Sequence, residues 1–331
     1  MKLDPAGFVR DLRLAPHELT ERVTPQVDLF VLAHVGVPQI DAATWRLDIG
    51  GLVERPRTFS FDEIRQLPKR SVESFHQCAG FPRRPDIATR RVANVVWSGA
   101  DLGEILRAAG VSPQARYLVS HGVDRGEYDG LPASDYVKDM PIERLAEGSV
   151  LLAYEINGEP LTRAHGFPIR LVIPGYYGTN AVKWLRRLEL TAERADGVFT
   201  RELYNDPVAP GTSPEGSMTR PVWEAGPEAI IVAPRHGATL GLKATEIFGW
   251  AWAASDVARV EVSTDRGGTW LQATVEPRAQ WSWQRFSVQW HPPAIGQYIV
   301  MARATDVRGA AQPMERARNS VHTVRVDIAQ M

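Results

Sequence analysis

Polar and apolar residues alternate along TWRLDIGGLV (residues 44–53). Trp45, Leu47 and Ile49 point one way and Arg46 and Asp48 the other, the period of a half-buried strand. In SFDEIRQLP (60–68), Ser60 and Glu63 have the spacing of a capping box and Pro68 closes a short helix. In DLGEILRAAG (101–110) the apolar positions Leu102, Ile105, Leu106 and Ala109 form one helical stripe, with Gly110 placed to end it. RYLVS (116–120), SVLLAYEI (149–156) and PIRLVIPG (168–175) read as short buried strands. Residues 1–195 therefore predict a mixed α+β domain.

The texture changes at 196–227, which is dense in Pro, Gly, Ser and Thr and reads as an ordered connector. From 228 to 331 the apolar runs are strand-like and closely spaced: TEIFGWAWA, VARVEVSTD, WQRFSVQW and GQYIVMARATD. A Gly-Gly turn in STDRGGTW (263–270) separates two of them, and no helical period intervenes. An all-β sandwich is the expectation for this half.

Composition narrows the function. The 331 residues carry a formal net charge of −1, so no basic field favours nucleic acid. No apolar run is long enough for a membrane span. The opening MKLDPAGFVRDLRL is charged and lacks an apolar leader core, which predicts a cytoplasmic protein, or a periplasmic one if a leader has been removed. A single cysteine, Cys78, excludes an internal disulfide and any metal site built from several thiolates.

Cys78 lies in SFHQCAGFPRR (74–84), followed by Arg83 and Arg84. A lone cysteine is commonly a buried small hydrophobe. Cationic neighbours favour the thiolate, however, and Gly80 and Pro82 predict an irregular loop. The residues leave open a catalytic nucleophile, a redox-sensing thiol and a soft ligand to one metal. His34, His76, His121 and His165 are available as bases, but no cysteine-protease signature surrounds Cys78. Arg170 interrupts an otherwise apolar strand, and a buried guanidinium calls for an anionic partner such as phosphate.

HQCAGFPRR resembles the cysteine loop of the sulfite oxidase family, the molybdenum enzymes that also include assimilatory nitrate reductases. Residues 151–185, LLAYEINGEPLTRAHGFPIRLVIPGYYGTNAVKWL, resemble that family's most recognisable run, and IFGWAWAASDVARVEVSTDRGGTW (247–270) resembles its immunoglobulin-like dimerisation domain. The resemblance implies a molybdopterin-binding domain of the sulfite oxidase fold at 1–195 and a dimerisation sandwich at 228–331. It implies a molybdenum–molybdopterin cofactor with Cys78 as the one protein ligand to the metal. His34 and Asp124 would contact the pterin, His165 and Arg170 would grip pterin and phosphate, and Lys183 would add a second cation for the phosphate. Trp97, Tyr204 and Arg83 would line the substrate pocket, with Arg83 holding an oxyanion. The implied reaction is oxygen-atom transfer, sulfite to sulfate in the first instance; reduction of another oxyanion or an S- or N-oxide, or non-catalytic cofactor binding, are the alternatives. A homodimer is implied.

Two departures qualify this. Many family members carry Arg-Asn just before the loop histidine, where this chain has Leu32 and Ala33. Losing one charge-assisted contact of about 1.5–3 kcal/mol removes about one to two decades of affinity for a small dianion. The sequence also lacks a Cys-x-x-Cys-His haem motif and a G-x-G-x-x-G fingerprint. No haem, flavin or iron–sulfur cluster is expected, and electrons would pass to a separate acceptor such as a cytochrome.

Overall fold

Ser60 accepts a hydrogen bond from the Glu63 N–H, and the Glu63 carboxylate returns one from the Ser60 N–H at 2.7 Å, so the predicted capping box starts the helix Phe61–Gln66. The second predicted helix, Leu102–Ala109, begins with the Asp101 carboxylate accepting from the Glu104 N–H. It ends on Gly110, whose φ of 72° is the left-handed conformation that favours glycine at a helix end. Its buried residues are Leu102, Ile105, Leu106 and Ala109, the stripe the spacing predicts.

The computed structural model describes residues 8–10, 12–80, 89, 91–208, 219–315 and 317–330. Contacts gather the chain into two units, neither of them a single stretch. The first holds the residues up to Arg10, Val31–Val72 and Val96–Trp223; the second holds Asp11–Phe30, Glu73–Val95 and Glu224 onward. Composition changes at 195 and 227, whereas contacts also assign 11–30 and 73–95 to the same unit as the C-terminal strands.

The first unit is mixed α+β. One sheet runs in the order Val137–Pro141, Tyr117–Gly122, Leu185–Thr191, Arg46–Gly51, Arg57–Ser60. All its pairs are antiparallel except Leu185–Thr191 with Arg46–Gly51. A second sheet has in this unit Glu159–Pro160, Leu151–Ile156 and residues 96–101 of the strand Val92–Asp101, with Arg170–Val172 also paired to Leu151–Ile156. The buried core joins Leu47, Ile49, Leu118 and Leu188 of one sheet to Leu152 and Leu171 of the other. Asp139 is a polar hub within this unit. It takes two bonds from the Arg194 guanidinium, at 2.9 and 3.0 Å, one from the Ala195 N–H and one from Trp223 Nε1.

The second unit is an all-β sandwich. Glu228–Ala233, Thr245–Trp252, Gln284–Trp290 and Thr274–Val275 form one sheet. Ala238–Gly241, Thr323–Ala329, Gly296–Asp306, Val257–Ser263 and Leu271–Gln272 form the other. Ile247 and Phe286 from one sheet and Val260, Val300 and Val326 from the other share one core. The turn after Ser263 is held by Asp265, whose carboxylate accepts from the Thr269 N–H and hydroxyl. Among the described residues no helix is long and apolar enough to cross a membrane.

Gly99 sits opposite Ala153, where the pairing of Val92–Asp101 with Leu151–Ile156 shifts register. A Cβ there would lie 2.1 Å from the Leu152 carbonyl oxygen and 2.7 Å from the Ala153 Cα. The clash is with backbone, so the strands would have to part. Gly99→Ala is expected to lower unfolding free energy by about 3 kcal/mol, read from urea denaturation of matched samples. A loss under about 0.5 kcal/mol would show that the strands yield without cost.

Candidate functional site

In the first unit, His34 follows the strand Val31–Ala33, and Tyr204 follows a π-helical turn, Val198–Glu202. The two share a 2.5 Å hydrogen bond between His34 Nε2 and the Tyr204 hydroxyl. Tyr204 is held at a φ of 56°, a strained conformation for a bulky residue. The Val222 N–H donates to its carbonyl. Rings of Tyr128, Tyr136 and Phe199 surround the imidazole, with centroids 4.9, 5.2 and 5.0 Å away. Burial pushes the His34 pKa down to about 3, and the Lys183 and Lys138 ammonium groups push the same way. His34 is therefore neutral at physiological pH.

The cations implied by the resemblance are buried in the same unit. Arg170 opens the strand Arg170–Val172 and is 3% exposed. Its guanidinium donates to the carbonyls of His165 (3.2 Å) and Ala181 (3.0 Å) and lies 4.8 Å from the centre of the Trp97 ring. Burial lowers its pKa to about 9. The His165 ring is oriented by a 2.8 Å bond between Nδ1 and the Thr162 hydroxyl. Lys183 Nζ donates to the carbonyls of Leu32 (2.8 Å) and Ala164 (3.2 Å) and stands 4.1 Å over the Trp184 ring. Gly166 has a φ of 109°, and a Cβ on it would meet Arg170 Cβ at 3.0 Å and Lys183 Cβ at 3.2 Å. Only a residue without a side chain lets these two cations pack so closely.

Asp124 is also buried. Its Oδ1 has no hydrogen-bond donor among the described residues. Burial raises the carboxyl, to about 7, while the Lys183 charge draws it down; burial likewise lowers Lys183, to about 7, and Asp124 supports its charge. A buried carboxyl oxygen without a donor among the described residues, near the buried Lys183, together with the buried Arg170, suits a group carrying both N–H donors and an anionic phosphate. The residues fit a pterin phosphate in kind.

Trp97 is fully buried and its indole face carries the Arg170 charge. Arg83 and Arg84 lie outside the described residues.

Cys78 belongs to the second unit, directly after the strand Lys69–Gln77, and is 4% exposed. Its N–H donates to the Arg91 carbonyl at 2.8 Å, and the Gly80 N–H reaches its sulfur at 3.4 Å. Burial raises the thiol pKa, and the Gly80 N–H, Arg91 and Arg318 pull the other way; the expectation of a thiolate stabilised by Arg83 and Arg84 falls on residues outside the described ones. A soft metal ion would displace that proton, whereas a free nucleophile or redox sensor would be hindered by the same burial.

Sequence reasoning missed Lys138. It is 1% exposed, donates to the Phe199 carbonyl at 2.8 Å and stands 5.5 Å from the Tyr204 ring centre. Burial lowers its pKa to about 8, against the pull of Asp139. The available signal was a Lys-Asp pair inside the short apolar stretch YVKDMP.

Residues 34–199 match the family model for an oxidoreductase molybdopterin binding domain, and residues 220–327 the model for a Mo-co oxidoreductase dimerisation domain. Mitochondrial sulfite oxidase of Rattus norvegicus is 31% identical over 323 residues, 90% of this chain and 59% of the relative. Sulfite oxidase of Arabidopsis thaliana is 31% identical over 329 residues, 88% of this chain and 82% of the relative. Among solved structures, the sulfane dehydrogenase SoxCD from Paracoccus pantotrophus is similar with a TM-score of 0.79 at 27% identity, covering 98% of this chain and 88% of that one. The chain thus spans 59% of the length of the rat mitochondrial relative.

The dry surroundings of His34 set a pH signature. The folded pKa of about 3 lies below the ordinary 6.5, so the unfolded chain binds more protons between those values and stability falls as pH drops through that window. In cofactor-free protein, wild type is expected to lose stability faster than His34→Gln between pH 6.5 and 5, by about 1 kcal/mol per pH unit in urea titrations. Equal slopes would mean that water reaches the imidazole.

Proposed function

The chain belongs to the sulfite oxidase family of molybdopterin oxidoreductases, and on that footing we propose that it transfers an oxygen atom between water and a small oxyanion, oxidising sulfite to sulfate. Sulfite and water give sulfate, two protons and two electrons, and the electrons pass to a separate redox protein. The observation that carries the reading is Asp124 Oδ1, a buried acceptor without a donor among the described residues, beside the carbonyl-anchored Lys183. The molybdenum cofactor, when bound, supplies the two-electron redox change and the oxygen transfer.

The chain's own residues bind and orient. Asp124 accepts from the pterin ring, while Arg170 and Lys183 neutralise the phosphate, each already aimed by backbone carbonyls. His165 is fixed for the same task through Thr162. Cys78 supplies the thiolate ligand. Tyr204 presents its hydroxyl at the substrate end, and the neutral His34 holds that hydroxyl. Arg83 contributes charge for the anion. Leu32 and Ala33 stand where many family members have Arg-Asn. The loss of that charge favours a second reading, the same site acting on a different oxyanion or on an S- or N-oxide.

The C-terminal sandwich is read as immunoglobulin-like, and its match to a dimerisation-domain model supports reading it as the contact surface of a homodimer.

Protein made in a host that synthesises the cofactor is expected to contain about one molybdenum and one pterin per chain by metal and pterin assay, with a visible absorption that sulfite bleaches. Cys78→Ser is expected to keep the fold by circular dichroism and to lose bleaching at least a hundredfold. Bound cofactor without any response to sulfite would replace the sulfite reading with the second one. Full bleaching in Cys78→Ser would remove the ligand role.

A further inference from the structure

The side chain immediately before Cys78 is bound on every polar edge. Gln77 is 0% exposed. Its Oε1 accepts from Trp252 Nε1 at 2.9 Å, and its Nε2 donates to Glu228 Oε2 and, at 3.1 Å, to Asn319 Oδ1. Glu228 and Trp252 are direct cross-strand partners in the antiparallel pair Glu228–Ala233 and Thr245–Trp252, so one rung of the sandwich supplies both a donor and an acceptor. Asn319 is anchored in turn by donating from Nδ2 to the Gly226 carbonyl at 2.9 Å. All four residues lie in the second unit and are at most 2% exposed.

The backbone on either side is strapped as well. The Phe75 N–H donates to the Trp281 carbonyl and the Trp281 N–H to the Glu73 carbonyl, both at 3.1 Å, and the Cys78 N–H is held by Arg91. Residues 73–78 are thus tied at 73, 75, 77 and 78. Glu73 is also tied through its carboxylate to Arg22 and Asn94, but the Gln77 amide is the nearer side-chain tie, one peptide link, about 3.8 Å from Cα to Cα, from the cysteine. Only a primary amide offers an acceptor and two donors on one planar group of this length. Glu228 can meet that amide without leaving a bare charge, because burial raises its carboxyl pKa well above the ordinary value.

We propose that Glu228, Trp252 and Asn319 form a clamp on Gln77 that positions the Cys78 sulfur, making Gln77 a positioning residue for the thiolate. The proposal rests on the reading of Cys78 as the metal ligand. Its physical content is a restriction on the strand end: with the amide locked, the backbone at 77–78 and with it the Cys78 Cα–Cβ bond keep one direction, and the sulfur stays buried until a metal takes it. Releasing the amide lets the end of the strand fray and the thiol reach solvent.

The test uses full-length protein from a host unable to make the cofactor, and follows the rate at which 5,5′-dithiobis(2-nitrobenzoate) modifies Cys78 well below the melting temperature. Gln77→Met keeps the length and removes the bonds, and is expected to raise the rate at least tenfold. Trp252→Phe removes one donor and is expected to raise it several-fold. Glu228→Gln preserves the acceptor and is expected to stay within twofold of wild type. If Gln77→Met and Trp252→Phe lower the melting temperature while the thiol rate in the folded protein stays at the wild-type value, the clamp is merely structural and the proposal fails. Should Gln77→Met not fold, Trp252→Phe decides alone. Failure of the ligand reading shows elsewhere, as full sulfite bleaching in cofactor-loaded Cys78→Ser, and leaves the thiol rates unaffected.

Discussion

Lys183 donates from one ammonium to the carbonyls of Leu32 and Ala164, residues more than a hundred positions apart in the chain, and the same ammonium stands over Trp184. A charge taken out of water must be met by oriented oxygen atoms, and here the backbone provides them. The consequence is geometric. The segment leading into His34, the turn that carries His165 and the strand approach at Lys183 are referred to one point. Arg170 repeats the device with the His165 and Ala181 carbonyls. Carbonyl dipoles orient these cations without supplying a full countercharge, which keeps them able to attract an anion.

The parts of this arrangement that were legible in the sequence are local. The Ser60–Glu63 capping box and the Leu102–Ala109 stripe each depend on residues three or four apart, and both formed as the spacing predicts. The molybdopterin and dimerisation regions were recognisable from contiguous motifs, and the family models cover the same stretches. What stayed hidden is long-range. Lys138 and Tyr204 are 66 positions apart, and nothing in YVKDMP says that its lysine turns inward to the Phe199 carbonyl. The partners of Gln77 come from 151 and 242 residues away.

Cys78 is subject to influences of two kinds. Arg83 and Arg84 lie outside the described residues; among the described groups burial is the larger influence on the sulfur, and it favours the thiol. A protonated, enclosed sulfur is quiet toward oxidants and electrophiles and yields its proton to a metal. On the proposed reading, the same burial would protect the sulfur before the metal is loaded and leave it available as a ligand afterwards.

Asp139 offers a last consequence. It binds Arg194 and Ala195 on one side of a long excursion of the chain and Trp223 on the other. Both feet of that excursion stand on a single carboxylate, so the chain between them leaves and returns at the same place. The cost of closing such a loop grows only with the logarithm of its length, about 0.6 kcal/mol for each doubling. Changes of chain length within this excursion should accordingly cost little where they leave in place the two feet on Asp139 and the Phe199 and Tyr204 rings that pack against His34.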